Sequence, residues 1–220
     1  MTGATGFLDR EIAVGGARRR WVLHVPLGYD AQAAWPAIVF LHGRGESGRD
    51  GRRQLAQGLA PAMLDRPEAW PFVVAFPQKA DETRPWTDEL PLLAALLAEL
   101  DRTLRLDPAR RHLTGLSQGG HGTIALATQL AWRFASLVPV CGGARDPGAA
   151  AAAIGATPLW AFHGDDDPIV PLARSLELVD AIAQRGGSAR LTRYAGVGHD
   201  SWAPAYREPE LPRWMLAQRT

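Results

Sequence analysis

Arg111-His112-Leu113-Thr114-Gly115-Leu116-Ser117-Gln118-Gly119-Gly120 is the stretch that decides how this chain is read. Its second half has the pattern G-x-S-x-G, a nucleophile elbow, in which a sharp strand-to-helix turn presents a serine. The chemistry explains the glycines. A serine hydroxyl is a weak nucleophile at neutral pH and has to stand in the open beside a base. The turn that exposes it crowds the backbone. Gly115 and Gly119 flank the serine where a Cβ would collide, and Gly120 lets the following helix pack closely. Ordinary turns also contain Ser and Gly, so the context matters. Residues 111–114 read as a short strand. Residues 123–131 read as a helix, with Ile124, Ala127, Leu130 and Ala131 on one face. That is the setting the elbow requires.

The rest of the chain supplies a matching framework. Residues 7–14 and 19–25 are expected to form two antiparallel strands joined at Gly15-Gly16. Residues 37–41 and 72–76 are continuous apolar runs, as in strands covered on both faces. Residues 137–141 and 159–162 continue the series, and 190–194 end it. Helices are expected over 53–64, 90–106 and 172–184. The second carries Leu93, Leu96, Leu97, Leu100 and Leu104 on one stripe, and Gly186-Gly187 stops the third. The alanine run 149–153 reads as a small surface helix. Alternating strands and helices imply a three-layer α/β/α fold around a mostly parallel sheet, with the antiparallel pair at its N-terminal side. No repeat or linker interrupts residues 1–220, which are read as one domain without a long lid. Ligands of such sheets bind beyond the carboxyl ends of the strands, and each chemically loaded segment falls at such an end.

Composition narrows the classes. The 220 residues are 46% hydrophobic and 21% charged, an ordinary globular balance. A net charge of +1 gives no electrostatic reason to bind nucleic acid or an anionic membrane. Lys79 is the only lysine, which reads as compositional bias, and Arg18-Arg19-Arg20 reads as a solvated edge. The lone Cys141 excludes an intrachain disulfide. Residues 1–6 lack the basic-then-apolar order of a secretory leader, and no apolar run reaches membrane-spanning length. The expected location is therefore cytoplasmic.

A serine nucleophile needs a base. His199 lies in Gly196-Val197-Gly198-His199-Asp200-Ser201-Trp202, after the last expected strand. A loop there lets an imidazole reach a neighbouring strand end, and the order serine, acid, histidine is kept. The base needs a carboxylate that fixes its tautomer and stabilises the imidazolium. His163-Gly164-Asp165-Asp166-Asp167 offers three aspartates, and chemistry alone does not choose among them. The tetrahedral intermediate needs backbone N–H donors. One is expected from Gln118, directly after the serine. The other is expected from Arg44 in His42-Gly43-Arg44-Gly45-Glu46, after the first buried parallel strand. That loop lacks the G-K-[ST] of a P-loop and the G-x-G-x-x-G spacing of a dinucleotide site.

Four segments now stand together: Leu41-His42-Gly43-x-Gly45-Glu46, Gly115-Leu116-Ser117-x-Gly119-Gly120, His163-Gly164-x-x-Asp167-x-x-Val170-Pro171 and Gly198-His199-Asp200-Ser201-Trp202. In this order they resemble the α/β-hydrolase superfamily, and within it the compact bacterial carboxylesterase/phospholipase-like group. That group is similar to polyhydroxybutyrate depolymerases, feruloyl esterases and acyl-protein thioesterases. The resemblance extends from near Trp35 to near Trp214. It implies a metal-independent serine esterase with no cofactor and a small-molecule ester as its partner. Ser117 would be the nucleophile, His199 the base and, on the family's motif, Asp167 the acid. Two positions depart from relatives: Gln118, where Met is common, and Arg44, often small or apolar.

Trp86, His121 and Trp202 are the candidate substrate-wall residues. His42 and His163 are read as loop-holding, and Cys141 as a buried inert thiol. The Cys, His and acidic residues show no metal-ligand spacing. Short-chain or aryl esters are the expected substrates. The same machinery would serve a thioesterase, a lysophospholipase or a small serine peptidase. A non-enzymatic binding protein on this fold would have no need of Ser117, Asp167 and His199 together.

Overall fold

The computed structural model describes residues 4–31 and 33–220. Residues 1–3 of the opening segment read above lie outside the described residues. β1 (Gly6–Val14) and β2 (Ala17–Val25) pair antiparallel, and β2 lies antiparallel on β4 (Val73–Pro77). β3 (Trp35–Leu41), β4, β5 (Leu106–Leu116), β6 (Ser136–Val140), β7 (Leu159–Gly164) and β8 (Ala189–Tyr194) run parallel. The sheet order is β1-β2-β4-β3-β5-β6-β7-β8.

Two cores follow from the alternation of side chains along these strands. Ile38, Phe40, Val74 and Phe76 point to one face. There they meet Leu59 and Met63 of α1 (Leu59–Asp65), and Tyr206, Leu211 and Met215 near the end of the chain. Val39, Leu41 and Leu113 point to the other face, under α2 (Leu90–Thr103), α3 (Gln118–Leu126), α4 (Pro147–Ile154) and α5 (Ala173–Gln184). Each Leu or Phe buried this way stabilises the fold by about 1.5–3 kcal/mol. Two more helices, α6 (Trp202–Ala205) and α7 (Glu210–Ala217), follow the last strand.

The structure differs from the sequence expectations where packing overrides local pattern. The helix expected over 53–64 is a 3-10 turn, Arg53–Leu55, followed by α1. Gly58 breaks it with a φ of +72°, and a Cβ there would lie 2.6 Å from Leu116 and 3.0 Å from Phe40. The helix expected to reach 106 stops at Thr103. Leu104 is extended, Leu106 joins the ladder opposite Trp35, and Pro108 disfavours helix just before it. The strand expected over 111–114 consequently begins at Leu106. The helix expected over 123–131 instead starts directly after Ser117 and ends at Leu126. α4 is longer than the alanine run, because Asp146 Oδ1 accepts the Ala149 N–H at 2.9 Å and caps its start. Among the described residues, no helix is long and apolar enough to cross a membrane.

Two buried imidazoles make the fold acid-sensitive. His112 in β5 bonds Ser136 Oγ at 2.8 Å, and its Nε2 has no partner. Burial, with a smaller contribution from the Arg110 charge, lowers its pKa from 6.5 to about 3. Burial also lowers His42, just after β3, from 6.5 to about 4. As pH falls through this window the unfolded chain takes up protons that the folded chain refuses, so stability declines. The thermal midpoint is expected to drop between the 6.5 of free histidine and the value of about 4 for His42. His112→Phe is expected to make that slope shallower, as read by calorimetry at a series of pH values. An unchanged slope would mean that His112 is not held neutral.

Candidate active site

β5 delivers Ser117 into a turn with φ 53° and ψ −115°. A non-glycine residue held there stores roughly 1–3 kcal/mol of strain. Neighbouring bonds hold it: Ser117 N donates to Val140 O at 2.9 Å, and His121 N donates to Ser117 O at 3.0 Å. The helix beyond packs main chain on main chain. A Cβ on Gly119 would lie 1.9 Å from Leu41 O, one on Gly115 2.5 Å from Gly119 O, and one on Gly120 2.5 Å from Val140 O.

Ser117 Oγ lies 2.8 Å from His199 Nε2, and His199 Nδ1 lies 2.7 Å from Asp167 Oδ2. An ionised carboxylate only accepts, so Nδ1 carries the ring proton and Nε2 is free to accept from the Ser117 hydroxyl. The Asp167 side chain is fully buried. Burial would raise its pKa, but the hydrogen bond from His199 and those from the Val170 and Ile169 amides outweigh it. The carboxyl is therefore held below the ordinary range. Both amides bond its Oδ1, at 2.9 and 2.8 Å. Of the three aspartates, Asp167 is the one bonded to His199. Asp165 forms a two-pronged pair with Arg193 at 2.8 and 3.0 Å, and Asp166 is tied by its own N–H to Val197 O. A second serine–histidine pair, Ser136 with His112, is fully buried and is not bonded to a carboxylate.

The loop opposite Ser117 is the 3-10 turn Arg44–Glu46. His42 Nε2 accepts the Lys79 N–H at 2.9 Å, and Lys79 O accepts the Gly48 N–H at 2.9 Å. The Lys79 ammonium is buried on Ser47 Oγ, at 3.1 Å, and on the Asp81 carbonyl. Burial pushes its pKa down, and nearby carboxylates only partly oppose that. This lysine, read from composition as bias, is an internal brace of the loop. Its signal in the sequence was its uniqueness in an arginine-rich chain. The Arg44 guanidinium is 66% exposed and turned toward Glu82 at 3.8 Å. The Gln118 side chain is likewise turned aside, with Nε2 donating to Glu82 O at 3.2 Å.

The three wall candidates separate. Trp202 sits edge-on to His199, with ring centroids 5.4 Å apart, and its indole N–H donates to Gln57 at 3.1 Å. His121 Nδ1 lies 2.6 Å from the Gly143 carbonyl oxygen and 3.0 Å from the Gly143 N, and the residue lines a neighbouring cleft. Trp86 corrects the expectation. It is 1% exposed, its N–H donates to His42 O at 2.9 Å, and Gly122 leaves room for its ring. It supports the loop and offers no face to a substrate.

Cys141 Sγ, an Asp167 oxygen and a His199 nitrogen approach one another within 4.8 Å. Their chemistry does not suit a metal. The two other groups are bonded to each other, and burial pushes the Cys141 thiol up to about 12, which keeps it protonated.

Comparison with known proteins gives the family of this chain. The family model described as Phospholipase/Carboxylesterase matches residues 61–207. A protein described as the esterase NocK, from Nocardia uniformis subsp. tsuyamanensis, is 31% identical over 172 residues, covering 74% of this chain and 49% of that one. Feruloyl esterase C of Emericella nidulans is 27% identical over 187 residues, covering 77% and 62%. The crystal structure of a thermostable esterase superposes with a TM-score of 0.81 at 31% identity, covering 97% of this chain and 63% of that one. This chain thus spans half to three fifths of the length of these relatives.

Gly119→Ala is expected to destabilise the fold by roughly 3 kcal/mol or more, because the added methyl meets backbone and not a movable side chain. Gly45→Ala, where a Cβ meets nothing within 4 Å, is the control and is expected to leave the thermal midpoint nearly unchanged. Equal melting of the two variants would contradict the close approach at the elbow.

Proposed function

The chain belongs to the phospholipase/carboxylesterase family, and from that premise we propose that it is a serine hydrolase of carboxylic esters. The observation that carries the proposal is the unbroken hydrogen-bonded chain Ser117–His199–Asp167, with its serine on the elbow. In this reading Ser117 Oγ attacks the acyl carbonyl while His199 Nε2 takes its proton. Asp167 keeps the Nδ1 proton in place and stabilises the imidazolium. The N–H groups of Arg44 and Gln118 receive the oxyanion. His199 then protonates the leaving alcohol, and an acyl-enzyme remains. Water, deprotonated by the same nitrogen, releases the acid.

Trp202 is the aromatic wall that stands beside His199, and it suits a short acyl chain or an aryl group. Short-chain or aryl esters are therefore proposed over long-chain triglycerides. A thioesterase would use the same steps with a sulfur leaving group.

Ser117→Ala is expected to lose about 10⁴-fold or more in kcat with its melting temperature retained, and a fluorophosphonate probe is expected to label the wild type at Ser117 only. Asp167→Asn is expected to cost roughly 10³-fold, whereas Asp165→Asn and Asp166→Asn keep most of the turnover. Near-normal turnover by Ser117→Ala, or an equal loss in Asp165→Asn, would reject these roles.

Esters of increasing chain length test the pocket through kcat/KM, with falling values expected beyond short chains. Activation at an oil–water interface would show the opposite preference.

A further inference from the structure

We propose that the cleft flanking Ser117 receives the anionic end of an amphiphilic substrate, so that the preferred ester carries a carboxylate away from its scissile bond. This rests on the esterase reading above and adds the substrate class.

The cleft has a volume of about 880 Å³, within the range of about 300–1,000 Å³ usual for small-molecule sites. It begins at His121, whose N–H bonds Ser117 O, and extends to Ile169 and Val170, whose amides hold Asp167. It therefore adjoins the triad without being part of it. Ile124, Ala150 and Ile169 give it an apolar wall. Ile169 is 67% exposed, a large aliphatic side chain left open on the very loop that carries the acid. An apolar ligand body would cover it.

The charges at the mouth are unbalanced. Arg145 and Arg174 both line the cleft and both are exposed. Many arginines of this chain have a carboxylate within 4 Å, as Arg193, Arg207 and Arg219 do. Among the described residues, Arg145 and Arg174 have none. The one carboxylate lining the cleft, Asp146, already accepts the Ala149 N–H. His121 adds no positive charge, because burial lowers its pKa and the nearby Arg174 lowers it further. Arg174 lies in the first turn of α5; that turn contains no acidic residue, although Glu177 and Asp180 follow in the helix, and a cation there is disfavoured by the helix dipole. Two unpaired guanidiniums above an apolar wall match a ligand with an apolar body and a carboxylate end.

The test compares matched pairs of esters. On the acyl side, p-nitrophenyl pentanoate is paired with the p-nitrophenyl monoester of glutarate. On the alcohol side, p-tolyl acetate is paired with 4-acetoxybenzoate. In one pair kcat/KM is expected to favour the anionic ester by about tenfold, the scale of a charge-assisted contact. The preference is expected to vanish in Arg145→Gln/Arg174→Gln, with the neutral esters unaffected, and to shrink at about 1 M salt.

Calorimetric binding of both members of each pair to the Ser117→Ala protein gives a readout that needs no turnover. Hydrolysis by the wild type without an anionic preference in either pair overturns this inference and leaves the esterase reading intact. Preferential binding of the anionic member, lost in the arginine double variant, without hydrolysis by the wild type does the reverse. An anionic preference that survives the double substitution also overturns it, since the charge would then be read elsewhere.

Discussion

The close approach of α3 to the sheet is the constraint from which the rest follows. Gly119 brings the helix main chain against Leu41 O, and Gly120 brings it against Val140 O. No side chain mediates either contact, so the helix has no slack in height or tilt. Ser117 is caught between a strand that cannot rise and a helix that cannot retreat, and its unusual backbone angles are the result. The same contact places the start of α3 beside the end of β3. The Ser117 hydroxyl keeps its place beside His199 because main chain meets main chain behind it.

Much of this was legible in the sequence, and the reasons differ by element. β3, β4, β6 and β7 announce themselves as apolar runs because both of their faces are covered. The elbow is legible because its pattern is confined to five consecutive residues, even though Gly119 and Gly120 answer to the distant Leu41 O and Val140 O. The break at Gly58 was not legible, since it answers to Leu116 and Phe40, which are distant in sequence. The early end of α2 was hidden for a similar reason: Leu104 continues the helical stripe, and only the pairing of Leu106 with Trp35 shows that the chain has already turned extended. α7 was overlooked because Leu211 and Met215 mark a helix of only two turns.

The site shows the same division. Ser117 and His199 could be placed from local pattern and chain order. The aspartates could not be separated on chemistry, because what distinguishes them is their neighbours: Arg193 takes Asp165, and two amides with His199 take Asp167. Trp86 misled, since a tryptophan after a loop looks like a wall until its indole is seen bonded to His42 O beneath that loop. Reaction geometry in this molecule is set by main chain and buried side chains. The features that would discriminate substrates, Trp202, Ile169, Arg145 and Arg174, stand on the rim, where substitution costs the fold little. A scaffold divided in this way can change its substrates while keeping its chemistry.

The burial of Lys79 has a consequence for how the molecule can be handled. It is the sole lysine, and its ammonium is enclosed by Ser47 and the Asp81 carbonyl. Every other basic side chain of the Lys/Arg type is a guanidinium, which does not react with acylating reagents under mild conditions. Amine-directed dyes, cross-linkers and activated resins therefore find no side-chain handle on the closed protein. Acylation of Lys79 would instead record the moments when the Arg44–Ser47 loop lifts, so the protein carries a built-in chemical clock for that opening.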